Sequence, residues 1–275
     1  MESFLKRFES LGDNCEFGFV LQHHGIHDGG MLRWTMIRDF RDLQSAIDRK
    51  FEGIYDIDDL SPCSPDMVRD ERFGIEFHTK MPIVRTADGF DFATPKSERL
   101  SVHYFEREKY FYLTEKFFNA AKRGSKIYVL KSINPIAQSV VEGVLRSLRR
   151  HGDVSILWVC EQDAANQTGT LEKLNNNLYR GFITRFSPSL DMNDIDMPVW
   201  AAVCEAAWNL HTSIHGSVED DPNENPRPKQ QPVALPSWFD PKLYLIANPD
   251  VAESGMDAGE HYLKFGWHEG RATRH

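Results

Sequence analysis

Nine residues near the start of the chain, Ser10-Leu11-Gly12-Asp13-Asn14-Cys15-Glu16-Phe17-Gly18, gather two glycines, an Asp-Asn pair and a cysteine. They stand just ahead of an apolar run (Phe17, Phe19, Val20, Leu21). Asp13 or Asn14 can cap the helix which that run predicts, because their side-chain oxygens accept the N–H groups a first turn leaves unpaired. Cys15 then falls at a helix N-terminus, where the partial positive charge favours thiolate over thiol. A cysteine nucleophile also needs a base and an orienting Asn or Asp, brought to it in space. Of eleven histidines, His78 is the best placed. The stretch Gly74-Ile75-Glu76-Phe77-His78-Thr79 alternates as a strand does, which holds the ring rigidly and turns Glu76 and His78 to one face. A histidine bonded to a carbonyl at a sheet end accounts for the same residue equally well, and His103 is a weaker alternative base. Asp88 and Asp91 flank a turn soon after His78 and could orient its ring, or could equally be turn formers, the role that Asp88-Gly89 favours. Asn14 could serve an oxyanion or simply cap the helix.

Other constellations are thinner. His23, His24 and His27 lack a carboxylate or cysteine at helical spacing, so no metal is expected. Gly12-Asp13-Asn14 has neither the GxGxxG nor the GxxxxGK spacing, so no cofactor is expected, although a turn of this kind before a helix suits a phosphate or sugar through Asp13. Ser132-Ile133-Asn134-Pro135 lies between a predicted parallel strand and a helix, where open α/β sheets bind ligands, and Glu161-Gln162-Asp163 holds the matching place after the next strand. Ser132, Asn134 and Glu161, with Asp13 and Trp34, are therefore candidate ligand contacts for a sugar or nucleotide. Taken singly, each reads as a cap or a solvated loop residue.

The elements that must position these residues follow from hydropathy. Phe4, Leu5 and Phe8 predict a short amphipathic lead-in over 1–9, and a helix follows over 15–24. Phe40, Leu43, Ile47 and Phe51 predict another, ending at Gly53. The acidic, proline-punctuated run 54–72 reads as a loop, with Cys63 a bystander. A small antiparallel piece is expected over 81–84 and 89–92, then a long aromatic helix over 104–122. From there the pattern is regular: a strand over 126–130, a helix from Pro135 to Arg150, a strand over 154–159, a short helix over 171–176 and a strand over 182–186. Near-continuous apolar strands between helices predict parallel pairing under helical cover on both faces. The fold class is thus α/β, with a partly parallel sheet and a small C-terminal helical module. A helix over 198–210 closes the domain, burying Trp200, Val203, Ala207 and Leu210, with Cys204 as a small hydrophobe. The expected division is a main domain over 1–212, a proline-rich flexible linker over 213–236 and a helical module over 237–275.

Composition narrows the function classes. The net charge is −9, and phosphate backbones need concentrated Lys and Arg, so no nucleic-acid partner is expected. The cluster Arg146 to Arg150 reads as a solvated, dipole-complementing helix end. Four scattered cysteines without a CxxC pair argue against a zinc site or a disulfide framework. There is no apolar signal-like stretch and no membrane-length segment, so a cytoplasmic setting is expected.

The stretch SLGDNCEFGFVLQ, followed by MLRW and GIEFHT, resembles an uncharacterised bacterial family described as papain-like cysteine peptidases. Its members carry SLGxNC near the N-terminus and a histidine on a downstream strand. The likeness runs through KIYVLK, SILWVCE and RGFITRF, over roughly residues 8–210. It implies Cys15 as nucleophile, His78 as base and a peptide substrate; no position after His78 matches a third triad member clearly. Papain-like enzymes set the cysteine helix against an antiparallel, barrel-like sheet, whereas residues 126–186 read as parallel. The tail WFDPKLYLIANPDVAESGMDAGEHYLKFGWHEGR looks like a short repeat unit that accompanies bacterial glycosyltransferases, other surface-polysaccharide proteins and secreted proteins. That likeness implies attachment or recognition, with a protein partner or a glycan-related substrate. Three functions stay open: a cysteine hydrolase or acyl transferase, a carbohydrate-related enzyme such as a glycosyltransferase, and a non-catalytic interaction protein.

Overall fold

The computed structural model describes residues 3–188, 194–216, 235 and 239–263. A 3₁₀ turn (Ser3–Arg7) leads into β1 (Phe8–Ser10), α1 (Glu16–His23), β2 (Thr35–Ile37) and α2 (Phe40–Asp48). Next come β3 (Leu60–Ser64), β4 (Met67–Asp70), β5 (Ile75–His78), β6 (Ile83–Thr86), β7 (Gly89–Phe92) and the long α3 (Lys96–Arg123). After these follow β8 (Ile127–Lys131), α4 (Gln138–Arg149), β9 (Ser155–Glu161), β10 (Leu171–Asn175), β11 (Leu178–Ile183) and α5 (Met197–His215). Three short helices, α6 (Pro241–Ala247), α7 (Pro249–Ser254) and α8 (Ala258–His261), end the described chain. The described residues fall into two compact units, one drawn from Met1–Ser61, Val68–His78 and Tyr110–Asp220, the other from Pro62–Met67, Thr79–Lys109 and Asp221–His275.

The first unit is built on a five-stranded sheet in the order β1-β8-β9-β11-β10. Strands β1, β8, β9 and β11 run parallel, and β10 adds an antiparallel edge. The fold is therefore the α/β class with a partly parallel sheet. Alternate residues of β8 serve opposite faces. Ile127 and Val129 enter a core with Phe17 and Val20 of α1 and Trp200, Val203 and Ala207 of α5. Tyr128 meets Phe117 of α3 on the other side, ring centroids 5.1 Å apart. There Val141, Val144 and Leu148 of α4 are buried, and α4 packs on β9. A four-stranded sheet, β2-β5-β4-β3, carries His78 at the end of β5, with β2 and β5 antiparallel.

Several expectations are corrected. Within the expected amphipathic lead-in over 1–9, the described residues form a 3₁₀ turn (Ser3–Arg7) and the start of strand β1; β1 pairs with β8, Phe8 opposite Ile127. The 54–72 run contains β3 and β4. One of its acidic residues is structural: the buried Asp70 carboxylate accepts the N–H groups of Tyr55, Arg72 and Phe73 at 2.8–3.1 Å. Residues 171–175 form strand β10, not a helix, because the half-exposed LEKLN is held by ladder bonds to β11. Helix α3 starts eight residues early at Lys96, and α4 starts at Gln138, three residues after Pro135. Helix α5 runs to His215, so the first residues assigned to the linker are helical. Most of the rest of that linker lies outside the described residues.

In the second unit, β6 and β7 form a hairpin. Glu106 accepts from the Thr79 hydroxyl at 2.8 Å and the Lys80 N–H at 2.6 Å. Its α6–α8 segment, within the helical module expected over 237–275, buries Tyr244, Val251, Ala258 and Tyr262 in a small core. Asp240 and Asp257 cap α6 and α8, as short polar side chains do at exposed N–H groups. The tail motif's Phe265-Gly266 and Glu269-Gly270-Arg271 lie outside the described residues.

At the amino ends of β9 and β11 a buried polar network ties α5 to the sheet. His211 Nδ1 sits 3.2 Å from Ser155 Oγ and 3.4 Å from the Tyr179 hydroxyl. Its ring stacks on Trp208 and lies beside His215. Burial, and secondarily the charge of His215, pushes the His211 imidazole down to about 4, against the pull of Asp153. A histidine whose folded value lies below its unfolded value of about 6.5 contributes stability that is full above that pH and lost as pH falls towards 4. About 2 kcal/mol is expected to disappear between pH 6.5 and 4, allowing for partial solvation. Urea unfolding of wild type and His211→Gln across this range checks it: the variant's stability should fall less steeply from pH 6.5 to 5, and parallel curves would contradict the assignment.

Candidate active site

The Ser10–Cys15 segment leaves β1 and turns sharply into α1. Gly12 and Asp13 both take positive φ, 91° and 77°. A side chain at Gly12 would bring its Cβ within 2.6 Å of Ile37 Cδ1, so this position needs glycine on both counts. Ser10 Oγ accepts from the Gly12 N–H at 3.1 Å, and the Leu11 N–H donates to the Val129 carbonyl at 2.9 Å. The turn is thus stitched to the ends of β1 and β8.

Cys15 is the N-cap residue of α1, one position earlier than the first turn. The capping bond comes from Asn14, whose Oδ1 accepts from the Glu16 N–H at 3.0 Å. Asn14 is 5% exposed, and its Nδ2 has no hydrogen-bond partner among the described residues. The Cys15 carbonyl accepts the Phe19 N–H, which starts the helical ladder. Gly18, on the same helix, sits where a Cβ would come within 2.9 Å of the Trp34 ring. Trp34 therefore backs α1, and its ring lies 5.2 Å from that of Phe19 on the same helix.

Under the turn lies Lys131, the last residue of β8, with only 1% of its side chain exposed. Its ammonium is 3.0 Å from Asp13 Oδ2 and 3.1 Å from Glu16 Oε2. The other Glu16 oxygen accepts from the Trp200 indole at 3.1 Å, which ties the first turn of α1 to α5. Lys131 also lies over the Phe186 ring at 4.7 Å. Burial pushes the Asp13 carboxyl up, and the neighbouring Lys131 opposes that shift. One cation thus serves two carboxylates on either side of Cys15.

His78, at the exposed end of β5, brings Nε2 to 3.9 Å from Cys15 Sγ, and Cys15 is partly exposed. Two residues earlier on the same strand face, the buried Glu76 carboxylate is held by Arg38 at 2.6 Å and Arg69 at 3.4 Å. The remaining expected site residues scatter. Asp91 belongs to the β6–β7 hairpin of the other unit, where its Oδ1 accepts the Phe92 N–H. Ser132 and Asn134 line a cavity beside α2. Glu161, at the end of β9, accepts the Phe186 N–H at 2.7 Å and anchors the chain after β11. Among the described residues no three His, Cys, Asp or Glu side chains are grouped to hold a metal, and no helix is long and apolar enough to cross a membrane.

Residue typing missed Lys131, Glu16 and Arg38. A lysine closing the otherwise apolar strand Ile127-Tyr128-Val129-Leu130 was the available signal, because a parallel strand covered on both faces has little room for an unpaired charge. Compared with protein-family models, curated proteins and solved structures, the chain matches none of them.

Removing the cation leaves two carboxylates facing each other out of water. Lys131→Met is expected to cost about 3–5 kcal/mol in urea unfolding, and adding Glu16→Gln to restore part of it. A loss below about 1 kcal/mol for Lys131→Met would contradict the buried ion cluster.

Proposed function

We propose that the protein is a cysteine-nucleophile hydrolase or acyl transferase acting through Cys15 and His78. The observation that carries this reading is the approach of His78 Nε2 to the Cys15 sulfur across two different sheets, on a strained turn at a helix N-terminus. Strained backbone of this sort gathers where a group must be presented in one geometry.

In this reading His78 takes the Cys15 thiol proton as the sulfur attacks a substrate carbonyl carbon, forming the C–S bond and an oxyanion. First-turn N–H groups of α1, with the helix end behind them, stabilise that charge. The tetrahedral species collapses to a thioester as the leaving group departs with the proton held on His78. Water, deprotonated by the same ring, then releases the acid and regenerates the thiol; an amine or alcohol in its place gives acyl transfer. Asn14 and the Lys131 cluster hold the turn rigid, and neither meets the substrate. The parallel sheet supports a cysteine–histidine centre on an α/β frame of its own and gives no support to the papain architecture.

The other thiols provide the control. Burial raises the Cys160 thiol to about 11 and pushes Cys204 up further, so both stay protonated near neutrality. Iodoacetamide at pH 7.5, with peptide mapping, is expected to label Cys15 roughly a hundredfold faster than Cys160 or Cys204. It should also label Cys15 faster than the partly exposed Cys63, whose sulfur contacts the Met67 carbonyl at 3.5 Å. His78→Ala should slow Cys15 alone. Labelling of Cys15 no faster than Cys63, or unchanged by His78→Ala, would contradict the pair.

A further inference from the structure

A cavity of about 240 Å³ opens at the carboxyl end of β8. Its wall includes Arg38, Asp39 and Arg41 around the start of α2, and Ser132, Asn134 and Ala137 in the turn from β8 to α4. Both halves of the Cys15–His78 pair are fastened to this wall. Asp13, two residues before Cys15, accepts the N–H of Ile133, between Ser132 and Asn134, at 3.3 Å. Glu76, two residues before His78, grips the Arg38 guanidinium through bonds of 2.6 and 3.1 Å. Residues two apart on a strand share a face about 7 Å apart, so the carboxylate that holds Arg38 lies one strand repeat from the base.

The wall combines apolar side chains (Phe40, Ile136, Val140) with charged and neutral polar ones. Arg41 is 73% exposed in its side chain and commits one guanidinium nitrogen, to Asp39 at 3.2 Å. Its other guanidinium donors, and the side chains of Ser132 and Asn134, bond to no described residue. Arg38 is committed to Glu76, which Arg69 also meets, and Arg69 pairs with Glu71 as well, so Arg41 is the arginine of the wall with most of its donors uncommitted. Helix α4 begins beyond Ala137 with no side-chain cap, so its first-turn N–H groups add to the positive potential. A guanidinium fork with neutral donors around it suits a carboxylate or phosphate. The chain as a whole carries a net charge of −9, so affinity for an anion would have to come from a local site.

We propose that this cavity is the substrate-selecting subsite of the Cys15–His78 centre, taking acyl substrates that carry a carboxylate or phosphate a few bonds from the reacting carbonyl. The proposal rests on the reading of Cys15 as nucleophile. It assigns Arg41 as the specificity-determining residue, with Ser132 and Asn134 as neutral donors to the same group.

Three affinity labels test it on the full chain: the bromoacetyl derivatives of glutamate α-amide, glutamine α-amide and phosphoserine α-amide. In each, the Cys15 sulfur displaces bromide from the bromoacetyl carbon, and the thiol proton passes through His78 to water. The glutamate or the phosphoserine label, or both, should modify Cys15 about tenfold faster than the near-isosteric glutamine label, as one charge-assisted contact at an open site allows. The faster anion tells carboxylate from phosphate. In Arg41→Gln the ratio should fall to near one, and high salt should lower it in wild type. Fast Cys15 labelling with no anion preference would overturn the subsite while leaving the nucleophile in place. Should Cys15 react with none of the labels, the nucleophile reading fails. The cavity is then judged by titrating Cys15→Ser with glutarate and inorganic phosphate, following the Ile133 and Gln138 amides by NMR. Saturable shifts abolished by Arg41→Gln support an anion site, and their absence overturns it.

Discussion

The arrangement around Cys15 depends on one buried cation. Lys131 is almost wholly removed from water, and desolvation of an ammonium is tolerable only with opposite charge in direct contact. Asp13 and Glu16 supply that charge at 3.0 and 3.1 Å. These residues flank Cys15 in sequence, so satisfying the lysine fixes the height of the turn over the end of β8. Glu16 passes the constraint on to Trp200, and through it to the core beneath α1 and α5. The ion cluster and the hydrophobic core therefore specify the same position for the first turn of α1.

Around this anchor, backbone strain and side-chain caps finish the presentation of the thiol. Between β1 and α1 the chain turns through two consecutive positive-φ residues, Gly12 and Asp13. Asp13 tolerates that conformation because its short carboxylate is bonded on the spot, to Lys131 and the Ile133 N–H. Asn14 then takes the cap, leaving the Cys15 side chain without a capping duty. The base arrives from the other sheet, at the end of a strand whose buried Glu76 is clamped by two arginines. The two members of the pair are thus held by elements of two different sheets.

Much of this was legible in the residues. The motif around Cys15, the helix after it, the apolar strands β8 and β9 and the strand carrying His78 all follow from period and capping chemistry. What escaped was short, polar or remote. Strand β1 is three residues long, too short to show a period, and Phe4, Leu5 and Phe8 suit a helix as well as a turn and strand. Strand β10 is a half-exposed edge whose spacing mimics a helical face, so pairing with β11 decides its form. The acidic 54–72 run looked solvated because the partners of Asp70 are backbone N–H groups, which carry no sequence mark. Lys131 and Asp13 lie 118 residues apart, and nothing local links them. The Arg38–Glu76 clamp escaped for the same reason.

The central claim is that Cys15 is an acyl-accepting nucleophile served by His78. Rapid-quench reaction with p-nitrophenyl acetate, followed by mapping of acetylated peptides, tests it most directly. The account requires a burst of about one p-nitrophenolate per chain, with the acetyl group carried as a thioester on Cys15 and turned over by water. The burst should vanish in Cys15→Ala and be strongly slowed in His78→Ala. Acetylation confined to surface lysines, or a burst that survives Cys15→Ala, would contradict it.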